Sequence, residues 1–377
     1  MNIALAHARA TIAPTPTSSR LDTLTALRFF AALFVAIHHT RQMWAHTELT
    51  DIIGQVGWLG VAFFFTLSGF VLMWNYDPKF SYRKFLTRRL IRIYPLHFIT
   101  LVLSLIAYFS LGNPFAGYVG KRVGTFASLF LVHDWLPGHP SMRQGWNGVS
   151  WTLSCEFFFY LCAPFIFAHL VKRWQSAWWP LALTWLALLI LSVASTAFRW
   201  GDVLDFLSYH PIPYLLEFVL GALAAIYVRN QRAAISVWLA VFIMVAPLTL
   251  YCYFFPESGG YRSGPIMVQL FTPGAVLFIG AVATADRDGA RSFLRNPVLV
   301  FLGEASFALY MTHALFLGIF SYLVTPLFPQ ALQLTTQGET VRIAYLTYAI
   351  LVSAACYEWV ETPIRKWLLA RASGDRL

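Results

Sequence analysis

Long apolar runs, each wide enough to cross a lipid bilayer, are the feature that most limits what this sequence can fold into. A membrane-crossing helix needs about 17–25 predominantly apolar residues. A backbone in hydrocarbon must also satisfy its hydrogen bonds within its own segment, which favours helices. The sequence therefore predicts an all-α polytopic membrane protein with about ten transmembrane helices. The runs are 24–44, 57–75, 90–111, 151–171, 177–198, 212–228, 234–255, 267–285, 298–324 and 341–364.

Composition and charge support this interpretation. The chain of 377 residues is 58% hydrophobic and only 12% charged, about half the charged fraction of a soluble domain. If the amino terminus is cytoplasmic, most of the 27 Lys and Arg residues fall in cytoplasmic segments. Fewer fall in the outer loops, and Arg342 is expected to be one of these. The net charge of +10 is then a topology signal and gives no reason to expect a nucleic-acid partner. We expect both termini in the cytoplasm, contact with membrane lipids, and a location in the inner (plasma) membrane.

The sequence divides into one membrane domain and two short tails. Residues 1–20 have no continuous apolar core and are predicted to be a disordered cytoplasmic tail, not a signal peptide. Residues 21–367 form the predicted membrane domain, and 368–377 a short cytoplasmic tail. The apolar stretch 124–136 is predicted to be interfacial or re-entrant, because Pro137 follows it early.

Two ionisable residues share one face of the first predicted span. Arg28 and His39 are eleven residues apart, which is close to three helical turns and about 16 Å along the axis. His38 points about 100° away from that face. An Arg at a helix end often extends to the headgroups, and a single His is often a satisfied core residue. Two adjacent His residues in an apolar span favour a function, because such groups are costly in lipid.

Four ionisable residues are predicted at one depth in four different spans. They are His39, Glu156, Glu217 and His313. This coincidence predicts a polar site in the outer half of the bundle. A carboxylate beside His39, Glu156 first among the candidates, would raise its basicity and fix its tautomer for proton abstraction. The alternative is a buried set of polar contacts that specifies helix packing.

A second cluster of charge precedes the third span. Arg88 and Arg92 are four residues apart and share a helix face, with Arg89 beside it. Such a cluster anchors a cytoplasmic helix end, but multidentate Arg side chains also suit phosphate groups. Glu358 and Glu361 approach this cluster from the last span and are candidates to pair with it.

Other candidates for chemistry are weaker. The Ser68–Gly69 pair in the second span is typical of close helix packing, and no GxSxG elbow supports a Ser nucleophile. The four cysteines lie in apolar runs without the spacing of metal ligands, so we predict no metal site.

Polar motifs follow one another in a specific order over residues 21–367. They are 21–28 with His39, 64–70, 89–95, 151–160, 217–221, 302–313 and 360–365. In this order they resemble the acyltransferase 3 family of membrane O-acyltransferases. The resemblance implies transfer of an acyl group, commonly acetyl from acetyl-CoA, to a hydroxyl of a saccharide or small molecule. It also implies that Arg28 and His39 are the family's critical Arg and His, and that Arg89 and Arg92 form its Arg-rich motif.

Geometry and resemblance together lead to a mechanistic hypothesis. The phosphates of acetyl-CoA bind at the cytoplasmic face, and the pantetheine arm carries the thioester to His39. His39, with help from Glu156 and Arg28, removes the proton of an acceptor hydroxyl that approaches from the outer side. An acyl-His intermediate is the alternative. The predicted donor site is Arg28, Arg88, Arg89, Arg92 and Tyr94, and the predicted acceptor site is Trp151, Glu217 and His313.

Other functions remain open at this stage. The acceptor is a cell-surface or exported saccharide unit, or alternatively a small secondary metabolite. A saccharide transporter or flippase is the main rival class, because transport paths also contain buried ionisable residues. The sequence has no inverted repeat, which counts against a transporter. A haem or quinone protein has less support, because no axial-ligand pattern is present.

Overall fold

The computed structural model describes seven segments, which are 21–41, 43–79, 81–111, 122–136, 145–231, 235–255 and 263–373. The predicted amino-terminal tail at 1–20 lies outside the described residues. So do Pro137, which is predicted to stop the interfacial stretch, and residues 374–377 of the predicted carboxyl-terminal tail.

The described residues are predominantly helical and contain no strand, as the sequence predicts. Short 3₁₀ turns and one π-helical turn join or extend the α-helices. The α-helices are α1 (Asp22–Thr40), α2 (Glu48–Val56), α3 (Gly60–Trp74), α4 (Tyr82–Leu111), α5 (Arg122–Leu129), α6 (Trp151–Ala197), α7 (Gly201–Tyr209), α8 (Pro211–Asn230), α9 (Val237–Phe254), α10 (Gly264–Arg287), α11 (Pro297–Glu304), α12 (Ser306–Val324), α13 (Thr335–Cys356) and α14 (Thr362–Ser373).

Nine helical stretches within the described residues are long and apolar enough to cross a membrane. The chain is therefore a multi-pass membrane protein. The sequence predicts ten crossings and the described part of the chain has nine such stretches, because two predicted spans belong to the single helix α6. This helix contains 47 residues. A straight helix of that length would measure about 70 Å, more than twice the hydrocarbon thickness. Arg173 has non-helical angles (φ −134°, ψ 24°) and kinks α6 between the predicted spans 151–171 and 177–198.

Several predicted spans are interrupted. The predicted span 298–324 is two helices, α11 and α12, which meet at Ala305. A π-helical turn, Tyr357–Glu361, joins α13 to α14. The apolar stretch after residue 122 forms the eight-residue α5, which is too short to cross a bilayer.

Helices α3 and α8 pack backbone to backbone at two glycines. A Cβ atom on Gly69 would lie 1.8 Å from the carbonyl oxygen of Phe218, and one on Gly221 would lie 1.9 Å from that of Thr66. No side chain fits in either gap. The interpretation of the Ser68–Gly69 pair as a helix-packing element is thus confirmed for Gly69.

Helix α1 makes polar contacts with other helices at both of its ends. At its start, the backbone N–H of Thr23 donates to a carboxylate oxygen of Asp286 in α10 at 2.9 Å. At its end, Arg342 donates to the Thr40 hydroxyl at 3.0 Å and to the Trp44 carbonyl at 3.1 Å. The expectation that Arg342 belongs to an outer loop is wrong, because it lies inside α13 and is only 2% exposed.

The close approach of α3 and α8 can be tested with an alanine pair. Gly69→Ala should lower the free energy of unfolding by about 1–3 kcal/mol or more, since the new methyl group forces the helices apart. Gly280→Ala in α10 is the control, because its Cβ atom would lie 3.7 Å from Val228 and Ala is the better helix former. Thermal unfolding in detergent, followed by size-exclusion chromatography, measures both. Equal stability of the two variants would contradict the packing assignment.

Candidate active site

A polar cavity of about 190 Å³ lies among α1, α3, α4, α6 and α12. Its lining includes apolar residues of α3 and charged side chains of α1, α4 and α6. Its polar lining consists of Arg28, Ser68, Arg89, Arg92, Thr152, Glu156, Tyr160, Ser306 and Tyr310. The cavity thus combines three guanidinium groups with one carboxylate in the membrane region, a composition suited to an anionic ligand.

Glu156 is the acidic member of this cavity. Tyr160, one helical turn further along α6, donates a hydrogen bond of 2.7 Å to its carboxylate. The carboxylate also interacts electrostatically with Arg28, Arg89 and Arg92. Sequence reasoning gave Tyr160 no role, although its spacing of four residues from Glu156 places both on one helix face.

The Arg cluster contributes two of its three predicted members to the cavity. Arg89 and Arg92 are three residues apart and line it, whereas Arg88 is exposed and does not. The expected face through Arg88 and Arg92 is therefore replaced by the face through Arg89 and Arg92. Both spacings are compatible with a shared helix face, and the orientation of α4 decides between them. Tyr94 is also outside the cavity lining, with its ring 6.1 Å from that of His97.

Glu361 approaches the same charges from the π-helical turn. It is 4% exposed and interacts electrostatically with Arg92, Arg365 and Arg28. Neither of its carboxylate oxygens has a hydrogen-bond partner among the described residues. Glu358, on the same turn, is exposed. Of the two predicted partners of the Arg cluster, only Glu361 is close to it, and the extra residue of a π turn changes which side chains face inward.

A second cavity adjoins the first at Arg28. It has a volume of about 250 Å³ and shares Arg28, Leu67 and Val71 with the first cavity. Its other lining includes Leu21 at the start of α1 and Asn75 after α3. Together the cavities extend from one end of the helix bundle past Arg28 to Tyr310 on α12.

The two histidines predicted at similar depth, His39 and His313, are in contact. The ring centroids are 5.0 Å apart, and His313 Nε2 lies 3.2 Å from His39 Nδ1. Tyr310 connects this pair to the cavity, because it lines the cavity and its ring centroid is 5.8 Å from that of His313. His38 Nδ1 lies 2.6 Å from the carbonyl oxygen of Gly54 in α2, and its ring centroid is 5.3 Å from that of His39.

The hydrogen-bond partners determine the tautomers of the pair. His39 Nδ1 lies 2.9 Å from the carbonyl oxygen of Val35, and His313 Nδ1 lies 2.7 Å from that of Tyr310. A carbonyl oxygen only accepts, so in each neutral ring Nδ1 carries the hydrogen and Nε2 the lone pair. His313 Nε2 is then an acceptor for His39 Nδ1–H, and His39 Nε2 has the lone pair that a general base needs.

The structure changes the expected partner of His39. Depth along the helices suggested Glu156, but Glu156 faces the Arg groups of the cavity, and His313 occupies the place beside His39. The reason is that rise along a helix gives depth, whereas rotation about the helix axis decides which neighbour a side chain meets. His313 was predicted at the acceptor site and instead contacts the candidate base.

The other two predicted acceptor residues lie in packed surroundings. Glu217 is fully buried and accepts a hydrogen bond of 3.0 Å from Thr272 of α10. Trp151 packs in an aromatic cluster, with ring centroids 5.3 Å from Tyr209 and 5.5 Å from Tyr214. Neither lines the cavity. Within the described segments, no group of three or more His, Cys, Asp or Glu side chains is arranged to hold a metal ion.

Comparison with known proteins assigns the chain to a family. The family model described as "Acyltransferase domain" (acyltransferase 3) matches residues 21–358. Acyltransferase MdmB of Streptomyces mycarofaciens is 32% identical over 94% of each chain. The "Putative O-acetyltransferase" of Staphylococcus aureus strain COL is 24% identical over 91% of this chain and 57% of its own length. No solved structure gives a significant match.

The multi-pass helical fold and the similarity to these proteins together define an acyl-transferring membrane enzyme. The chain belongs to the acyltransferase 3 family, and it is a membrane O-acyltransferase.

The role of Glu361 in balancing the cavity charges leads to a stability prediction. Glu361→Gln removes the carboxylate that faces Arg28 and Arg92 and should destabilise the protein by about 1–3 kcal/mol. Glu358→Gln changes the same charge on the same turn at an exposed position and should leave stability unchanged. Thermal unfolding of the purified variants without ligand measures both effects. Two variants as stable as the wild type would show that Glu361 does not compensate the buried guanidinium groups.

Proposed function

We propose that this enzyme transfers an acetyl group from acetyl-CoA to a hydroxyl of a saccharide that is exposed or exported at the cell surface. The observation that carries the proposal is the pair of features on α1. Arg28 lies in a cationic cavity, and His39, about 16 Å further along the helix, has its Nε2 lone pair available. That separation is comparable to the length of a pantetheine arm, so one donor molecule can contact both.

The cationic cavity is the proposed donor site. Arg28, Arg89 and Arg92 supply planar guanidinium groups, which bind phosphate oxygens in bidentate fashion. Glu156, held by Tyr160, orients these groups when no ligand is bound. The second cavity provides the approach to Arg28 from the end of the bundle where α1 begins.

His39 is the proposed general base. Its Nε2 takes the proton of the acceptor hydroxyl as the oxygen attacks the thioester carbonyl carbon. The tetrahedral intermediate collapses, the carbon–sulfur bond breaks, and the CoA thiolate takes the proton from His39 Nε2. The products are the acetyl ester and CoA, and His39 returns to its initial state.

The charge distribution supports one orientation in the membrane. Arg89 and Arg92 belong to the basic segment before the third predicted span, and such segments favour the cytoplasmic side. This orientation gives the donor cavity access to cytoplasmic acetyl-CoA and leaves the acceptor to approach His39 from the outer side of the inner membrane. The family suggests a hydroxyl of a saccharide or of a small molecule as the acceptor, and the saccharide is the class proposed for this enzyme.

His39 should be essential for turnover, whereas its neighbour should not. His39→Ala is expected to lower the transfer rate by about 10²–10⁴-fold, the usual contribution of a general base. His38→Ala is the matched control, since His38 Nδ1 lies against the Gly54 carbonyl oxygen of α2. The assay is acceptor-dependent release of free CoA by the purified protein, with saccharides and small hydroxylated metabolites compared as acceptors. Turnover of His39→Ala at the wild-type rate would exclude this mechanism, and transfer to metabolites alone would exclude the saccharide.

Alanine substitution of each of three neighbouring arginines tests the donor site. Arg89→Ala and Arg92→Ala should each raise the KM for acetyl-CoA by about 10–100-fold, the effect expected for a lost charged hydrogen bond. Arg88→Ala, which removes an exposed guanidinium group of the same helix, should leave the KM unchanged. A KM that responds to Arg88 but not to Arg89 or Arg92 would place the phosphates outside the cavity.

A further inference from the structure

His313 is a completely buried residue of α12 that lies outside the cavity lining. Its ring is held on two sides. Its Nδ1–H donates to the carbonyl oxygen of Tyr310 at 2.7 Å, and the carbonyl oxygen of Leu309 lies 3.2 Å from the same nitrogen. Its Nε2 faces His39 Nδ1 at 3.2 Å. A buried imidazole with both nitrogens engaged in this way has one orientation and one neutral tautomer.

We infer that His313 is a positioning residue for acyl transfer, whose Nε2 accepts the Nδ1–H of His39 and so directs the His39 Nε2 lone pair at the acceptor hydroxyl. This inference rests on the proposed function, in which His39 is the base. It assigns to a neutral imidazole the role that a carboxylate has in many His-based catalytic sites.

The surroundings keep His313 in place. Tyr345 of α13 donates a hydrogen bond of 2.6 Å to the His313 backbone carbonyl, and it is fully buried. The carbonyl oxygens of Tyr310 and Val35 belong to α12 and α1, so each histidine is also held by its own helix. These contacts leave the two rings facing each other across the interface between α1 and α12.

The arrangement also supports the charged state of the base. When His39 takes a proton on Nε2, Nδ1–H keeps both of its acceptors, Val35 O and His313 Nε2. The positive charge then forms next to two existing acceptors, which need no rearrangement. Without the His313 acceptor, His39 Nδ1–H keeps the Val35 carbonyl oxygen of its own helix as its acceptor among the described residues.

A purely structural role for His313 is the competing explanation, and amide side chains distinguish the two. The amide of Asn coincides with the Nδ1 position of His, so His313→Asn preserves a donor to the Tyr310 carbonyl but loses the acceptor for His39. The amide of Gln coincides with the Nε2 position, so His313→Gln preserves the acceptor for His39 and loses the donor to Tyr310.

The experiment compares His313→Gln, His313→Asn and His313→Ala in the purified full-length protein with acetyl-CoA and one fixed acceptor. We expect kcat to fall by about 10–100-fold for Asn and Ala, the usual effect of losing a residue that orients a functional His. Gln should retain most of the rate, and the KM for acetyl-CoA should stay unchanged in all three. Thermal unfolding and size-exclusion profiles confirm that the variants are folded.

Three results would overturn the inference while leaving the proposed function intact. They are wild-type kcat in all three variants, equal losses in Gln and Asn, and rescue by Asn but not by Gln. Wild-type turnover of His39→Ala would instead contradict the proposed function. If the His313 variants do not fold, ¹⁵N NMR of histidine-labelled wild-type protein, with His39→Gln for assignment, decides the question. A hydrogen on His39 Nε2 in the neutral ring would overturn the inference, and one on Nδ1 would support it.

Discussion

The cost of placing ionisable side chains in a hydrocarbon environment is the constraint on which this structure depends. Arg28, Arg89 and Arg92 lie among helices that cross the membrane, where an isolated guanidinium group is strongly disfavoured. They are tolerated because α6 and the π-helical turn bring Glu156 and Glu361 to the same place. Each acidic group comes from a different part of the chain from the basic groups, so the charges are balanced only once the bundle has assembled. The same requirement explains why these charged groups come together from four separate segments, α1, α4, α6 and the π-helical turn.

Helix α1 is the element that links the two polar regions. Asp286 accepts a hydrogen bond from its first turn, and Arg342 donates one to its last residue. Gly303 of α11 lies so close to α1 that a Cβ atom there would be 1.9 Å from the carbonyl oxygen of Thr25. Helix α1 carries Arg28 into the cavity and His39 to α12, and it therefore sets the distance between these two side chains.

The polar regions on α1 differ in their chemistry. The Arg28 region is cationic and partly open, whereas the histidine pair contains neutral rings held by carbonyl oxygens. Phe64 and Tyr310, whose ring centroids are 5.9 Å apart, line the cavity near the histidine pair. A cationic region suits binding of an anionic donor, and a neutral imidazole suits proton abstraction. Separation along one helix keeps the guanidinium charges away from the base, whose protonation they would otherwise oppose.

The sequence by itself determined the class of protein, the approximate positions of its apolar helices, and the shared face of Arg28 and His39. These properties depend on the length and period of apolar runs, which are local. Only the tertiary structure decided that His313 and not Glu156 adjoins His39, that Arg89 and not Arg88 lines the cavity, and that Glu361 and not Glu358 faces the Arg groups. Each of these choices depends on how a helix is rotated about its axis relative to its neighbours. That rotation is set by contacts between residues distant in sequence, such as Gly69 with Phe218 and Arg342 with Thr40. It is also set by a π turn, which the local sequence pattern does not predict.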